Sequence, residues 1–190
     1  MPIFCPDDIR AWTDGSWNRR DFRSSVSGFS HDTRRLNPGE MFVALRTESQ
    51  DGHDFLDAAK DRGASAALVE RWVESNDLPQ LKVGHCGEAF LRMGRAHRLR
   101  FDGKVIGVTG TCGKTSTKDL LRSIGAAAGR VHASPRSFNN DIGVPLTLLR
   151  LAEDDEYAVI ELGANHIGEI AYTTALVHPD VATVCNVAPA

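Results

Sequence analysis

The chain has 190 residues, 42% hydrophobic and 25% charged, with a net charge of −3. That is the make-up of an ordinary globular protein, long enough to bury one large core or two small ones. The mild acidity gives no electrostatic reason to expect a nucleic-acid partner.

The N-terminus, Met1-Pro-Ile-Phe-Cys-Pro-Asp-Asp-Ile-Arg-Ala-Trp12, has neither the basic nor the apolar region of a signal peptide. No apolar run approaches the length of a membrane span. Cys5, Cys86, Cys112 and Cys185 are scattered, without a C-x-x-C pair or a histidine at ligand spacing. A zinc site or a disulfide framework is therefore not expected, and the setting reads as cytoplasmic and reducing.

Residues 1–84 read as a first unit. Met41–Leu45 and Ala66–Val69 are apolar runs of strand length. Between them, Phe55 to Arg62 has helical spacing with Phe55, Ala58 and Ala59 on one face. Asn37-Pro-Gly39 and Asp51-Gly52 are turn signals. Strand, helix, strand predicts a small α/β domain. Residues 85–103 read as a connecting helix and linker, with Phe90, Met93 and His97 on one side. His97 reads as a packed or surface residue rather than a ligand. Arg92, Arg95, Arg98 and Arg100 form the densest basic run and read as a solvated helix face.

From Lys104 to Ala190 the pattern alternates. Val105–Thr109 predicts a strand, and Thr115–Ala128 a helix with Leu120, Leu121, Ile124 and Ala128 as its apolar face. Val131–Ala133 predicts a short strand, Val144–Leu151 a helix, Tyr157–Leu162 a buried strand, Ile167–Leu176 a helix and Val181–Val187 a strand. This alternation predicts a doubly wound parallel sheet with helices on both faces, one that would normally continue past Ala190.

The chemistry concentrates after the first strand of this second unit. Thr109-Gly-Thr-Cys-Gly-Lys-Thr-Ser116 places glycines at a strand-to-helix turn, where backbone N–H groups and a helix N-terminus can meet an anion. Gly110 and Gly113 allow close approach, Lys114 can reach β- and γ-phosphates, and the Thr115 hydroxyl can ligate Mg²⁺. The pattern G-x-x-x-x-G-K-[ST] needs glycine at 108, where Val108 stands. Glu161, at the end of an apolar strand, can face the phosphates and hold Mg²⁺ directly or through water. Asn139 and Asn140 precede a glycine; as turn residues or as ligands of substrate or phosphate, spacing alone does not decide.

Three motifs in order, Thr109–Ser116, Asn139-Asn-Asp-Ile-Gly-Val-Pro-Leu-Thr-Leu148 and Glu161-Leu-Gly-Ala-Asn-His-Ile-Gly-Glu-Ile170, resemble the Mur ligase family. Ser30-His-Asp-Thr-Arg34, Pro38–Leu45 and Asp51-Gly-His-Asp-Phe55 are similar to its uridine-nucleotide-binding N-terminal domain. The family carries the shortened glycine pattern, which accounts for Val108. Within the family the likeness is greatest to the ligases that join D-Ala-D-Ala to UDP-MurNAc-tripeptide in peptidoglycan precursor synthesis.

The resemblance implies ATP and Mg²⁺, an acyl phosphate formed on the tripeptide carboxylate, and attack by the dipeptide amine. It implies that Gly110, Thr111, Cys112, Gly113, Lys114, Thr115 and Ser116 wrap the ATP phosphates. Lys114, Glu161 and His166 carry the catalytic roles, with Thr115 and Glu161 on the metal. Asn139, Asn140 and Asn165 lie toward the muramyl peptide, and Asp32, Thr33, Arg34, Gly52 and His53 toward the UDP end. A monomer is expected. Cys112 departs from the usual Ser or Asn, with little effect expected because its backbone N–H is what binds. Family members are longer, so the chain is expected to be their N-terminal part, ending inside the central domain and incompetent for ligation alone. The alternatives are another Mur-type or folylpolyglutamate-type ligase, a non-catalytic UDP-sugar-binding fragment, and a P-loop GTPase or kinase, for which no N-K-x-D signature is present.

Overall fold

The computed structural model describes residues 2–135, 138–164 and 166–187. It divides into two units, Met1–Met93 and Gly94–Ala190.

The first unit begins with α1 (Pro6–Thr13), which has proline at its start and Asp7 and Asp8 in its first turn, both suited to the positive end of a helix. Its strands are β1 (Ser16–Trp17), β2 (Phe29–Ser30), β3 (Met41–Val43), β4 (Ala66–Val69) and β5 (Gln80–Lys82). The sheet order is β1-β5-β4-β3-β2, parallel from β2 to β5, with β1 antiparallel at the edge. Every residue of β3 and β4 is buried, so these strands are apolar throughout rather than alternating. A 3₁₀ turn, Gly52–Phe55, leads into α2 (Leu56–Asp61). Leu56 and Ala59 join Phe42, Ala67 and Val69 in the core, while Phe55 and Ala58 are exposed, which corrects the expected face. The 3₁₀ turn causes the difference: it rotates the helix start, so the core side begins one residue later. α1, β1, β2 and β5 go beyond the sequence expectation; β1 and β2, of two residues each, are too short to show a period.

α3 (Cys86–Arg98) spans the division between the units. Phe90 and Met93 are buried, and His97 Nε2 pairs with the Leu151 carbonyl at 2.8 Å, as a packed helix residue does. Arg98 does not lie on a solvated face. It is 8% exposed, donating to the carbonyls of Val177, His178 and Phe101. Those carbonyls, with Asp180 at 3.5 Å, give the guanidinium partners that compensate its loss of water.

The second unit contains β6 (Lys104–Thr109), α4 (Lys114–Gly125), β7 (Val131–Ala133), α5 (Gly143–Leu148), β8 (Tyr157–Glu161), α6 (Glu169–Val177) and β9 (Val181–Val184). The sheet order is β7-β8-β6-β9, all parallel. The predicted face of α4 is overturned: Leu120 and Ile124 are each 61% exposed, and the buried residue is Lys118. Polar contacts at the carboxyl ends of the strands set the helix rotation. Thr115 bonds Glu161, Lys118 bonds Ser134, and Thr117 meets Cys185.

Among the described residues no helix is long and apolar enough to cross a membrane, and no group of three or more His, Cys, Asp or Glu could hold a metal. The four cysteines are free thiols.

Candidate nucleotide and metal site

The site in the second unit follows from strand register. β6 is central, and its parallel pairing sets Val108 opposite Glu161 and Thr109 opposite Val184. All carboxyl ends thus meet at one edge of the sheet, where such folds bind ligands. β6 runs into Gly110 (φ 139°) and Gly113 (φ 82°), both in the region that favours glycine. A Cβ on Gly110 would lie 3.0 Å from Asn186 N and 3.1 Å from Cys185 Cβ.

Within the loop, Lys114 Nζ donates to the Gly110 carbonyl at 2.8 Å, folding the ammonium across the turn. The Cys112 N–H donates to Asn186 Oδ1 at 3.0 Å, and the Thr111 N–H to the Asn186 carbonyl at 3.3 Å. Glu161 is 1% exposed. The Thr115 hydroxyl donates to its Oε2 at 3.0 Å, and Asn139 Nδ2 to its Oε1 at 2.8 Å. The Gly163 N–H holds the Asn139 carbonyl at 2.9 Å, tying that segment to the end of β8. A cavity of about 370 Å³ is lined by Lys114, Asn139, Asn140, Asp141, Ile142, Gly163, Ala164 and Glu169.

The predicted residues Thr115, Asn139 and Glu161 are therefore one hydrogen-bonded group, and Lys114 shares the cavity lining with Asn139. Asn140 lines the cavity, but its Oδ1 accepts from the Gly143 N–H at 2.8 Å, which starts α5. Between the readings left open, Asn140 is at least a turn residue, whereas Asn139 binds the buried carboxylate. His166 is exposed and is not among the residues lining the cavity. Asn165 lies outside the described residues. Sequence reading missed Lys118, Ser134, Glu169 and Asn186. Of these, Lys118 carried a signal in standing four residues after Lys114 on the same helix face, and Glu169 in lying within the third motif.

The first unit has a second candidate pocket, about 430 Å³, lined by His31, Asp32, Thr33, Arg34, Phe42, Gln50 and Phe55. Asp32 caps the 3₁₀ turn Thr33–Arg35 and takes two hydrogen bonds from the Arg34 guanidinium, at 2.9 and 2.8 Å. Those bonds hold the Asp32 carboxyl down to about 2. Burial lowers the pKa of His31.

Gly52 and His53 do not line this pocket. Both are buried: a Cβ on Gly52 would sit 2.6 Å from backbone atoms of Ala44 and Leu45. His53 Nδ1 meets Asp51 Oδ1 at 2.6 Å, and Nε2 accepts from the Glu70 N–H at 2.9 Å. With both nitrogens engaged inside the protein, the ring is a strut of the fold rather than an exposed ligand contact. Burial alone would raise the Asp51 carboxyl, but bonds from the His53 N–H, Arg71 and the His53 ring hold it well below the usual range.

Comparison with known proteins agrees with this architecture. Residues 25–85 match the model described as Mur ligase family, catalytic domain, and residues 108–190 match the Mur ligase middle domain. The UDP-N-acetylmuramoyl-tripeptide–D-alanyl-D-alanine ligase of Escherichia coli K12 is 48% identical over 166 residues, which are 87% of this chain and 36% of that protein. The ligase of the same name from Bacillus subtilis is 36% identical over 85% of this chain and 36% of its own length. A crystal structure of MurF from Acinetobacter baumannii superposes with a TM-score of 0.94 at 34% identity, covering 100% of this chain and 42% of that one. A MurF structure from Thermotoga maritima in complex with ADP gives 0.73 at 33% identity, over 84% of this chain and 37% of that one. The chain thus spans a little over a third of the length of the curated relatives it matches.

Proposed function

We propose that this chain, which belongs to the Mur ligase family, forms the part of a UDP-N-acetylmuramoyl-tripeptide–D-alanyl-D-alanine ligase that holds the UDP end of the muramyl peptide and the phosphates of ATP. The domain assignment that goes with it is residues 1–84 for UDP-sugar binding, 85–103 as connector and 104–190 as part of the ATP-binding domain.

The observation that most supports this reading is the meeting of Thr115 Oγ1 and Glu161 Oε2 at 3.0 Å, beside a loop with two left-handed glycines. A hydroxyl and a carboxylate oxygen are donor types that Mg²⁺ takes, so Thr115 and Glu161 are the residues that would hold it. When bound, ATP and Mg²⁺ supply the phosphoryl group that activates the tripeptide carboxylate and neutralise its charge.

The residues of the chain then have distinct tasks. Loop N–H groups from Gly113 to Ser116, at the N-terminus of α4, offer fixed dipoles to phosphate oxygens, whereas those of Thr111 and Cys112 are held by Asn186. Lys114, now on the Gly110 carbonyl, exchanges that neutral acceptor for a charged phosphate oxygen. Asn139 keeps the Glu161 carboxylate from turning, so Oε2 stays toward Thr115. In the first unit, Asp32, Thr33 and the Phe55 ring offer a polar edge and an apolar face to the uridine.

Calorimetric titration of the 190-residue chain tests the assignment. UDP-MurNAc-tripeptide and Mg²⁺–ATP should each bind. Lys114→Ala should lose ATP and keep the UDP ligand, and Thr33→Ala the reverse. Binding of neither ligand by the wild-type chain overturns the reading.

A further inference from the structure

We propose that Lys118 and Ser134 are positioning residues that set the height of Glu161 against Thr115; this deepens the reading of Glu161 as a metal ligand and rests on it. Lys118 lies one turn beyond Lys114 on α4 and is only 3% exposed. Its Nζ donates to the Ser134 carbonyl at 3.0 Å, and Asp119 Oδ1 is 3.6 Å away. Ser134, 2% exposed, extends the β7–β8 pairing by one residue: its N–H donates to the Val159 carbonyl at 3.0 Å. Its Oγ accepts the Glu161 N–H, also at 3.0 Å. The Glu161 carboxylate in turn accepts from Thr115, back on α4.

These contacts close a ring. It leaves α4 at Lys118, passes through Ser134 and Glu161, and returns to α4 at Thr115, three residues from its start. A closed ring fixes the separation of its members, as a single hydrogen bond between two rotatable side chains does not. Thr115 and Glu161 are the residues that would hold the metal.

Charge points the same way. Lysine is almost never buried without a partner, and burying an ammonium is expensive. A helix that needed only to pack here could do so with an apolar side chain of similar length. The buried ammonium instead ties α4 to the end of β7. Outer partners of metal ligands act in this way, and their loss typically weakens metal affinity by about 10–100-fold.

The test measures two affinities on the 190-residue chain: Mn²⁺ in the presence of ATP, by electron paramagnetic resonance, and ATP alone in EDTA, by calorimetry. Lys118→Met and Ser134→Ala should each weaken Mn²⁺ about tenfold and leave metal-free ATP affinity within about twofold. Lys118→Met should lower the urea midpoint, because the buried Ser134 carbonyl loses its donor, yet stay folded under the assay conditions. Glu161→Gln should weaken Mn²⁺ at least as much. Wild-type Mn²⁺ affinity in Lys118→Met and Ser134→Ala, with loss in Glu161→Gln, overturns the inference and leaves the metal reading standing. Equal losses with and without metal also overturn it, because Lys118 would then act on phosphate or on the fold. Wild-type affinity in Glu161→Gln, or no Mn²⁺ bound by the wild-type chain, overturns the metal reading itself and this inference with it.

Discussion

Replacing His53 with alanine should unfold the first unit long before it disturbs any ligand. The ring is buried and connects two elements: Nδ1 to Asp51 Oδ1 at 2.6 Å, and Nε2 to the Glu70 N–H at 2.9 Å. Because the Glu70 amide donates to Nε2, the proton sits on Nδ1 and points at the carboxylate. Alanine removes a bond to a charged acceptor, worth about 1.5–3 kcal/mol, and leaves a half-buried N–H without its partner, at the low end of about 1–3 kcal/mol. The void left by the ring adds to both. A total loss of about 3–5 kcal/mol is expected, beyond the range of most single substitutions. At about 4–8 °C per kcal/mol for a domain of this size, the melting point falls by more than about 10 °C. The assay is built into the chain, because Trp12, Trp17 and Trp72 all lie in the unit Met1–Met93. Tryptophan fluorescence in urea therefore reports on this unit. An unchanged urea midpoint with lost affinity for a UDP ligand would refute the reasoning and restore His53 as a direct contact.

Acid should act in two windows. His31, His97 and His132 have pKa values lowered chiefly by burial, so the unfolded chain protonates first and their contribution, complete above pH 6.5, declines below it. Asp32 titrates at about 2 against 3.8 unfolded, so its contribution holds above pH 3.8 and is lost as pH falls through 2. Urea midpoints from pH 8 to pH 2 should show both declines; a midpoint that rises as pH falls from 7 to 5 contradicts the histidine assignment. Arg98→Met should destabilise the second unit by about 3 kcal/mol, because the carbonyls of Val177, His178 and Phe101 lose their donor. Hydrogen exchange at β6 and β9 reads this, and unchanged protection there would contradict it. The double substitution Leu120→Ser, Ile124→Ser should shift unfolding by less than about 1 kcal/mol, because both side chains are exposed; a loss of several kcal/mol would mean that α4 packs by its apolar face after all.

The sequence made local features legible and cross-chain ones obscure. The strand, glycine loop and helix from Val105 onward follow from periodicity and turn chemistry within one window, and the structure has them within one to three residues. Glu161 was singled out because a carboxylate ending an apolar strand, a weak signal alone, gains weight beside a phosphate-type loop. The rotation of α4 was not legible. Leu120, Leu121 and Ile124 define an apolar face, but Thr115, Thr117 and Lys118 fix the helix through partners 46, 68 and 16 residues away. Arg98 was misread for the same reason: its acceptors, Val177 and His178, are about 80 residues distant. His53 was assigned to a ligand by motif, and only the Glu70 amide, 17 residues on, reveals its structural task.

Two carboxylates, Asp51 and Glu161, sit at the centres of hydrogen-bond networks, and the nature of their donors sets them apart. Asp51 is held by a guanidinium at 2.7 Å, by an imidazole N–H and by a backbone N–H. An arriving cation would have to displace an arginine charge and a ring locked between two elements. Glu161 is held at its oxygens by a hydroxyl and an amide, both neutral. The hydroxyl can rotate its proton away and present an oxygen, so an incoming cation gains a ligand where it loses a competitor. The backbone beneath Glu161, by contrast, is fixed through Ser134. A metal site needs both properties: a scaffold that does not move and first donors that yield. Of the two networks, only the one at the end of β8 combines them.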